Sequence, residues 1–461
     1  MGHHQPHALV VPYPAQGHVI PLLELSYCLA DHGFKITFVQ TDFNHARVIG
    51  AASAPSPEKE GLTDRIRLVS FSDGLAAGED RNHLWKLSLA IKNAMPSRLE
   101  ELIRHSNEPG EDKITCMIVD GSLGWALEVA RKTGLRSAEF WPTSALTAVM
   151  IMAIPKLIQD GIVDEDGVPM KEMFQPCPGL PLMNTANLSW NCFRDAESRK
   201  KSFQRLSQNN QMRHIADVVI CNSCQEIELP IFTHLPRIRP IGPILTGHRL
   251  GKPVGHFWPE DTTCIDWLDE QPTNSVIYVA FGSFTMFDQR QFQELALGLE
   301  LCNRPFLWAV RPDLGAIHGG AEAYPRGFRE RIGSRGRMVS WAPQQKVLAH
   351  PAVACFVSHC GWNSTLEGVR NGVPFLCWPY FTDQFLNQSY ICDVWRIGLK
   401  LVPDEDGIVS KEQIKSKVEE LFLDEGMKAR ALVLKDFAYA SVRKGGTSFE
   451  NVKSFVDALR S

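Results

Sequence analysis

The sequence lacks any run of apolar residues long enough to cross a membrane. Its longest apolar stretch, residues 145–154, ends at Pro155, whereas a spanning helix needs about 20 residues. The first 14 residues contain neither a cationic segment nor a long apolar segment, and a secretory signal peptide has both. We therefore expect a protein without a membrane span that resides in the cytoplasm.

The sequence also lacks a strong excess of charge of either sign. Its 48 Lys and Arg residues nearly balance 52 Asp and Glu residues, which gives a net charge of −4 at pH 7. Proteins that bind nucleic acid usually carry a basic face, and the sequence contains no basic stripe. We expect no nucleic acid among its partners.

The twelve cysteines do not form the pattern of a disulfide-rich or zinc-binding protein. Cys116, Cys355 and Cys377 lie inside apolar segments, which is typical of reduced intracellular proteins. Cys221 and Cys224 form a C-x-x-C pair, but a zinc site needs a second pair of Cys or His ligands. The sequence therefore predicts neither disulfides nor zinc.

Several motifs of nucleotide-binding and hydrolytic proteins are absent. There is no G-x-G-x-x-G, no Walker lysine motif and no G-x-S-x-G, so the common signatures of these sites are missing. Two acidic triplets, residues 164–166 and 404–406, match an Asp-x-Asp pattern, but each is followed by Gly and is typical of a solvated turn. We expect no bound metal and no cofactor.

Strand-like and helix-like segments alternate along the chain. In the first half the predicted strands are 7–12, 35–40, 66–71, 114–120, 137–141 and, as the last, 218–220, with helices at 19–31, 125–132 and from Thr143. In the second half the predicted strands are 275–281, 306–310, 338–341, 353–358 and 374–378, with a helix at 288–301. This alternation predicts two α/β domains with doubly wound parallel sheets, and 461 residues are too many for one ordinary core.

A segment rich in Gly and Pro separates the two halves. It holds Gly247, Gly251, Pro253 and Gly255 and shows little periodicity, as expected of a connection between domains. We assign residues 1–242 to the first domain, 243–263 to the linker and 264–445 to the second domain. Residues 446–461 form a further amphipathic helix.

The most informative stretch of the second half is residues 341–384. An apolar strand at 353–359 is followed by a turn at Cys360 and Gly361 and by a helix that opens at Asn363. A helix N-terminus after a strand offers free N–H groups and a positive dipole end to an anion. His359, Asn363 and Ser364 add side-chain donors, so that a diphosphate fits this turn.

Two features of this stretch have structural alternatives. Ser364-x-x-Glu367 is also the pattern of a capping box, which needs no ligand. Trp341, at the end of a predicted strand, is either a core aromatic or a platform on which a nucleotide base stacks.

In the first half, His18 and Asp120 are candidates for acid–base chemistry. His18 ends the predicted loop before the helix at 19–31, and Asp120 ends the strand at 114–120. Both positions lie at the carboxyl edge of the predicted sheet, where a base and its orienting carboxylate would converge. The alternative for His18 is an exposed loop side chain without a chemical role.

Residues 341–384 closely resemble the signature box of the plant UDP-glycosyltransferases, which glycosylate plant secondary metabolites. The segments WAPQ, HPAV, HCGWNS, GVP and DQ occur at the spacing of that family. The resemblance implies a GT-B fold, in which two Rossmann-like domains face an interdomain cleft. It also implies that the helix in residues 446–461 returns to the first domain.

The resemblance assigns a role to each motif residue. It implies that Trp341 stacks on uracil, that Gln344 and Glu367 bind ribose, and that Thr143 touches the sugar. His18 would deprotonate the acceptor hydroxyl, and Asp120, in a D-x-x-x-x-W setting with Trp125, would hold the imidazole. The resemblance further implies that His359, Asn363 and Ser364 hold the diphosphate and that Trp362, Asp383 and Gln384 bind the sugar. Ser283 and Ala342 complete the predicted donor set.

The implied reaction is inverting transfer of glucose from UDP-glucose, a co-substrate, to a small-molecule hydroxyl, giving a β-glucoside. Trp362 and Gln384 match members of the family that prefer UDP-glucose. The acceptor loops, about 75–95, 140–155 and 180–205, suggest an apolar plant metabolite: a flavonoid, another phenylpropanoid, a terpenoid or a hormone. They carry side chains that could equally be core: Trp85, Phe140, Met150, Trp190 and Phe193.

Two other functions remain open from the sequence. One is a nucleotide-sugar-binding protein that has lost catalysis, and the other is a UDP-sugar epimerase of the same fold. Retention of both His18 and Asp120 favours the transferase over the binding protein, and the plant-type box favours it over the epimerase. We expect a monomer whose partners are UDP-glucose and the acceptor.

Overall fold

Apolar strands and amphipathic helices alternate to build two parallel β-sheets. The computed structural model describes residues 5–51, 65–193, 195–234, 237–244, 257–311 and 323–460. The chain divides into two units, Met1–Trp258 together with Ala440–Ser461, and Pro259–Tyr439. Most of the predicted linker, residues 245–256, lies outside the described residues.

Within the described residues, the first unit contains a seven-stranded sheet and a separate two-stranded pair. The strands are β1 (His7–Val11), β2 (Lys35–Thr41), β3 (Ile66–Phe71), β4 (Cys116–Asp120), β5 (Arg136–Trp141), the pair β6 (Met173–Phe174) and β7 (Met183–Asn184), then β8 (Val218–Cys221) and β9 (Ile238–Pro240). The sheet order is β3-β2-β1-β4-β5-β8-β9, and its pairings are parallel.

The prediction that residues 218–220 form the last strand of this half is wrong. Strand β9 pairs with β8 at the edge of the sheet. It has only three residues, one of them Pro240, so it shows no apolar run that sequence patterns could detect. Pro is tolerated there because an edge strand needs fewer backbone donors.

The helices of the first unit lie between successive strands, and three of them lie between β5 and β8. They are α1 (Gln16–Asp31), α2 (Asp42–Ala51), α3 (Leu84–Ser106), α4 (Gly124–Lys132), α5 (Ala145–Met152), α6 (Ile154–Gln159), α7 (Ala196–Met212) and α8 (Leu229–His234). Among the helices that the structure describes, none is both long and apolar enough to cross a membrane.

In its described part, the second unit contains a six-stranded parallel sheet. The strands are β10 (Val276–Ala280), β11 (Phe306–Ala309), β12 (Gly336–Val339), β13 (Val353–Ser358), β14 (Phe375–Cys377) and β15 (Gly398–Lys400), in the order β12-β11-β10-β13-β14-β15. The helices are α9 (Thr263–Asp269), α10 (Gln289–Leu301), α11 (Phe328–Ile332), α12 (Gln344–Ala349), α13 (Trp362–Asn371), α14 (Gln384–Ser389), α15 (Lys411–Leu423) and α16 (Glu425–Val442).

The last helix, α17 (Thr447–Arg460), packs into the core of the first unit. Phe455, Val456 and Leu459 are buried in the same cluster as the residues of β1 and α1. Asn451 donates to the carbonyl of Pro240 at 2.9 Å, so the helix also contacts β9. Its amphipathic spacing therefore reflects burial of one face against this sheet.

Each sheet reverses its order at one point, and the loops there converge. Strand β1 lies between β2 and β4, and strand β10 lies between β11 and β13. Successive connections leave such a central strand in opposite directions, which opens a crevice at the carboxyl ends of the strands. Of the fourteen predicted site residues, eight lie at the end of one of the strands β1, β4, β10 and β13 or in the turn and helix that follow it.

Helix α1 begins earlier than the sequence predicted. Ala15 is its N-cap, and the carbonyl of Ala15 accepts from the N–H groups of His18 and Val19, both at 2.9 Å. His18 therefore lies in the first helical turn and not in the loop before residue 19. Backbone hydrogen bonds of the helix fix this position, so the imidazole is held more rigidly than it would be in a loop.

Candidate active site

The side chains of His18 and Asp120 meet at the switch point of the first sheet. His18 follows β1, and Asp120 is the last residue of β4, which pairs with β1 in parallel. The imidazole Nδ1 lies 2.7 Å from Oδ2 of Asp120. The two side chains that the sequence predicted to converge are thus in hydrogen-bond contact.

The surroundings of Asp120 determine which ring nitrogen carries the proton. The carboxylate is 0% exposed, while the side chain of His18 is 24% exposed. Oδ1 of Asp120 accepts from the N–H of Ser122 at 2.8 Å. Because an ionised carboxylate can only accept, Nδ1 is the donor and Nε2 keeps its lone pair. The pair can therefore take a proton from a hydroxyl at Nε2.

Tyr13 also orients the imidazole, and no sequence pattern indicated this residue. Its ring lies 5.3 Å from the ring of His18. The Tyr13 hydroxyl donates to the carbonyl of Leu84 at 3.2 Å and lies 3.1 Å from Oγ of Ser88. These bonds to α3 hold the phenol ring against the imidazole.

Thr143 lies in the turn between β5 and α5, and a buried carboxylate organises that turn. Glu228 is 0% exposed, and its two oxygens accept from the N–H groups of Ala145 and Leu146 at 2.8 and 3.0 Å. These N–H groups belong to the first helical turn and have no partner within the helix, so they favour a negative charge nearby. Thr143 remains half-buried before this helix.

The structure corrects the acceptor-loop prediction for three large side chains. Phe140 and Trp190 are 0% exposed and Met150 is 2% exposed, so they belong to the core and do not line an open pocket. Trp190 is held by a bond from its Nε1 to the carbonyl of Gly167 at 2.9 Å. Trp85 and Phe193 are half-buried and keep accessible surface.

In the second unit, helix α13 begins directly after the turn that follows β13. Its N-cap is Gly361, and Cys360 has a φ of 62°. Ser364 is therefore the third residue of the helix and Glu367 lies further inside it. The capping-box alternative is wrong, because a capping box requires Ser364 at the N-cap.

The imidazole of His359 lies between two glycines. A Cβ atom at Gly282 would lie 2.6 Å from its Nε2, and one at Gly361 would lie 2.5 Å away. Burial is the main cause that lowers the pKa of His359 to about 4; a backbone hydrogen bond with Ala280 opposes this shift, and the nearby charge of Arg311 acts in the same direction as burial. The ring is therefore neutral at pH 7 and approaches the backbone of both loops at the switch point.

Glu367 is the centre of a hydrogen-bond network that joins α12 and α13. Nε2 of Gln344 lies 2.6 Å from Oε2 of Glu367 and 2.9 Å from Oγ of Ser364. Tyr278 donates its hydroxyl to Oε1 of Gln344 at 3.1 Å, and Gln345 donates to Oε1 of Glu367 at 3.3 Å. Burial raises the pKa of Glu367 to about 7, and the bonds from the two glutamines oppose this shift. Neither Tyr278 nor Gln345 was predicted.

Trp341 and Ala342 follow β12 at the same edge of the sheet. Trp341 is half-buried, so it is not a fully buried core aromatic, whereas Ala342 is buried. The carbonyl of Trp341 accepts from the N–H of Asp261 at 2.8 Å. Ser283 is half-buried in the turn after β10.

The segment predicted to bind the sugar is held by its own side chains. Oε1 of Gln384 accepts from the N–H groups of Tyr380 and Phe381 at 2.7 and 3.0 Å. Asp383 accepts from Thr382 at 3.0 Å and from Asn387 at 2.9 Å. These bonds fix Oε1 of Gln384 and the carboxylate of Asp383 within the segment.

Asn387 connects this segment to the turn before α13. Its Nδ2 donates to the carbonyl of Cys360 at 2.9 Å as well as to Asp383. Trp362 is only 3% exposed, with its ring 6.3 Å from that of Trp395, and Asn363 is half-buried. The predicted residues of each unit therefore lie at the carboxyl edge of its sheet, at the switch point and after neighbouring strands.

Both acidic triplets form turns. Asp164 accepts from the N–H groups of Asp166 and Val168, and Asp404 accepts in the same way from Asp406 and Ile408, all at 2.8–3.0 Å. Across the part of the chain that the structure describes, no cluster of three or more His, Cys, Asp or Glu side chains is arranged to hold a metal ion.

Comparison with known proteins identifies the family and the fold. The family model described as UDP-glucoronosyl and UDP-glucosyl transferase matches residues 200–438. UDP-glycosyltransferase 83A1 of Arabidopsis thaliana is 46% identical, with 99% of this chain and 97% of that protein covered. The (R)-mandelonitrile beta-glucosyltransferase of Prunus dulcis is 34% identical, with 98% and 97% covered.

A solved structure has the same fold. It is that of a UDP-glucosyltransferase from Polygonum tinctorium capable of glucosylating indoxyl, in complex with 3,4-dichloroaniline. It superposes with a TM-score of 0.82 at 27% identity and covers all of both chains (100% each). With its GT-B fold of two parallel-sheet α/β domains, this chain belongs to the plant family 1 UDP-glycosyltransferases, enzymes that transfer the sugar of a UDP-sugar to a small molecule.

Proposed function

We propose that this protein transfers glucose from UDP-glucose to a hydroxyl group of a small apolar plant metabolite and inverts the anomeric configuration. The observation that carries the proposal is the bond of 2.7 Å between Nδ1 of His18 and the buried carboxylate of Asp120. A binding protein would have no need for an oriented, half-exposed base. An epimerase would need no base directed at an acceptor.

The chemistry assigned to the first unit is general base catalysis. Nε2 of His18 takes the proton of the acceptor hydroxyl as the oxygen attacks the anomeric carbon of glucose. Asp120 accepts a hydrogen bond from Nδ1–H throughout, without taking the proton, and stabilises the imidazolium that forms. One displacement on an α-linked donor gives a β-glucoside, the linkage in the name of the Prunus dulcis relative.

The chemistry assigned to the second unit is stabilisation of the leaving group. The bond between the anomeric carbon and the diphosphate oxygen breaks, and its electron pair stays with UDP. The first turn of α13, with the N–H groups after Gly361 and the side chains of Asn363 and Ser364, suits a developing negative charge. The neutral ring of His359 can donate a hydrogen bond to a phosphate oxygen.

The remaining donor contacts follow from the same arrangement. We assign Trp341 to the uracil ring, and Gln344 with Glu367 to the ribose hydroxyls, because a carboxylate accepts from both hydroxyls of a diol. Asp383 and Gln384 are assigned to the glucose hydroxyls and Thr143 to the donor sugar. The choice of glucose is supported by Trp362 and Gln384 and by the glucosyltransferases among the similar proteins.

The acceptor class is supported by two aromatic side chains of the first unit, one in helix α3 and one before helix α7. Trp85 and Phe193 keep accessible aromatic surface, and an apolar, hydroxylated metabolite would pack on such rings. We propose a flavonoid, another phenylpropanoid, a terpenoid or a hormone as the acceptor, and the assay distinguishes among these classes.

The test is transfer of labelled UDP-glucose to a panel of phenolic and aliphatic hydroxyl acceptors. The wild-type enzyme should form β-glucosides faster from UDP-glucose than from UDP-galactose or UDP-glucuronate. His18→Ala should lower kcat by about 10²–10⁴-fold, the range for a positioned general base. Its affinity for UDP-glucose should stay unchanged, because His18 is not among the assigned donor contacts and all of these except Thr143 are in the other unit.

Asp120→Asn is the matched variant for the second member of the pair. Its amide keeps the size of the carboxylate but cannot stabilise the imidazolium, so turnover of alcohols should fall more than turnover of acidic phenols. Normal turnover of an alcohol by His18→Ala would contradict the mechanism. Formation of an epimerised UDP-sugar without acceptor would identify an epimerase, and donor binding without any turnover would identify a binding protein.

A further inference from the structure

A buried ion pair lies behind the Asp120 turn, and the mechanism above does not use it. Glu139 is in the middle of β5, and Arg213 follows α7 directly. Their side chains are 1% and 7% exposed, and Nε of Arg213 lies 3.1 Å from Oε1 of Glu139. A charged pair at this depth gains little net stability. Stability alone therefore does not explain why this pair lies next to the catalytic pair.

Arg213 contacts Gly121, the residue that follows Asp120, both directly and through the ring of Trp141. Its Nη2 lies 3.4 Å from the carbonyl oxygen of Gly121. Its guanidinium also covers the ring of Trp141, at 4.3 Å from the ring centre. That ring packs on Gly121 so closely that a Cβ atom there would lie 2.7 Å from it. Gly121 is therefore held both by the guanidinium and by the indole that the guanidinium covers.

The neighbouring residues of α7 hold the rest of the turn. Nδ2 of Asn209 donates to the carbonyl of Ser122 at 2.8 Å, and Asn210 accepts from Nη1 of Arg213 at 3.1 Å. Ser122 in turn donates its N–H to Oδ1 of Asp120. Contacts thus run without interruption from Glu139 through Arg213 and the turn to the carboxylate that holds His18.

We propose that Arg213 is a positioning residue for the His18–Asp120 pair, and that Glu139 is the buried carboxylate that keeps Arg213 in place. The inference rests on the proposed function of that pair. Without the guanidinium, the Gly121 carbonyl and the Trp141 ring lose their common support, and the Asp120 carboxylate is free to rotate away from Nδ1. The direction of the catalytic imidazole then becomes less well defined.

The charges around this pair determine which substitutions are informative. Burial raises the pKa of Glu139 to about 7, while Arg213 and the Trp141 indole lower it and Asp120 raises it. Burial also lowers the pKa of Arg213, which Glu139 opposes and Arg205 reinforces. Removing one partner would leave the other buried without compensation, so both should be replaced together.

The test variant is the double substitution Arg213→Met with Glu139→Gln, which keeps side-chain volume and leaves no buried charge. We expect kcat for an aliphatic alcohol to fall by up to about 100-fold, the scale of a misplacement of order 1 Å. KM for UDP-glucose should not change. The loss should be smaller for an acidic phenol, because that acceptor depends less on the base.

Lys132→Met with Glu100→Gln is the matched control, since it makes similar replacements in an ion pair that is largely exposed in the same unit. This variant should keep the wild-type kcat. The single variant Arg213→Lys should have a higher kcat than the double variant but a lower kcat than the wild type. An ammonium cannot bind Glu139, Asn210 and Gly121 in the same planar geometry as a guanidinium.

A thermodynamic cycle separates positioning from a merely structural role. In an Asp120→Asn background, the Arg213 and Glu139 replacements should add little further loss, because residues acting through one group are not additive. Equal losses in both backgrounds, or a lower melting temperature with unchanged kcat, would overturn the inference. Retained activity in His18→Ala would instead overturn the proposed function on which the inference rests.

Discussion

At the scale of single residues, Glu367 should couple donor binding to proton release. Burial holds its pKa at about 7 in the free protein. Ribose hydroxyls donate to a carboxylate, so binding should favour the ionised form and release protons between about pH 6 and pH 7. UDP-glucose is the right ligand, because its diphosphate is esterified at both ends and does not titrate in this range. Calorimetry at pH 6.5 in buffers of different ionisation enthalpy measures the released protons.

Glu367→Gln is the control for this prediction and should abolish the release. Persistent release in that variant would assign it to another group, such as Glu260, whose pKa is also raised by burial. Glu367→Ala should weaken binding by about 1–3 kcal/mol, the scale of a lost hydrogen bond to a charged group. Unchanged affinity would remove Glu367 from the ribose site.

The same residue has a defined effect on stability. Its folded pKa of about 7 lies above the ordinary value of 4.5, so the unfolded chain releases its proton first as the pH rises. The contribution of the protonated form to stability is complete below about pH 4.5 and is lost as the pH rises through 7. Glu367 thus belongs to the buried groups whose ionisation is unfavourable until a ligand compensates it.

Residue identity was easier to predict than residue partners. The motif positions and the pairing of His18 with Asp120 follow from the sequence, because both residues stand at the carboxyl ends of neighbouring strands. Tyr13, Glu228 and Arg213 could not be predicted, since their contacts join segments that are distant in the chain. A charged residue inside the apolar strand at 137–141 was the one available signal for Glu139.

At the scale of elements, the turn before α13 depends on space beside His359. A Cβ atom at Gly361 would lie 2.5 Å from Nε2 of His359, while the φ of Gly361 is −59°, which any residue can adopt. Gly361→Ala should therefore displace the imidazole without straining the backbone. We expect weaker UDP-glucose binding, by about tenfold if one hydrogen bond is lost, measured by calorimetry.

Gly407→Ala provides the opposite control. Gly407 has a φ of +80°, and a Cβ atom there would have no neighbouring atom within 4 Å, so alanine strains the backbone without touching the site. It should lower stability by about 1 kcal/mol and leave binding unchanged. If Gly361→Ala bound UDP-glucose normally, the diphosphate would not depend on the position of His359.

Element boundaries departed from prediction where local backbone bonds dominate over apolar pattern. Helix α1 starts at Gln16 because the Ala15 carbonyl accepts from the N–H groups of His18 and Val19. The spacing of apolar residues does not indicate this start. Helix α13 starts at Trp362, one residue before the predicted Asn363 and three residues before the Thr365 start that a capping box at Ser364 requires, so Ser364 lies in the first turn. Strands β9 and β15 have three residues each and are too short to show a period.

At the scale of the whole molecule, two sheets with central switch points could be predicted because buried parallel strands are continuously apolar. The terminal helix shows the limit of such patterns. Its amphipathic spacing reveals that one face is buried, but only three-dimensional packing places Phe455 in the core of the first unit. A family resemblance, and not periodicity, supplied that expectation.

A prediction about the complete enzyme concerns divalent metal ions. The leaving diphosphate is assigned to the first turn of α13 and to uncharged side-chain donors, which can stabilise the departing charge by themselves. Turnover of UDP-glucose should therefore persist in excess EDTA, measured against an untreated sample. Complete loss of activity that Mn²⁺ or Mg²⁺ restores would show that the donor site needs a metal.

The burial of Asn387 limits how the enzyme can be produced. Asn387-Gln388-Ser389 is an acceptor sequence for N-linked glycans, yet Asn387 is 0% exposed and its amide is bonded to Cys360 and Asp383. A secretory expression host attaches glycans while the chain is still unfolded. A glycan at Asn387 would then replace the bonds of its amide to Cys360 and Asp383, so α14 could not pack against the turn before α13.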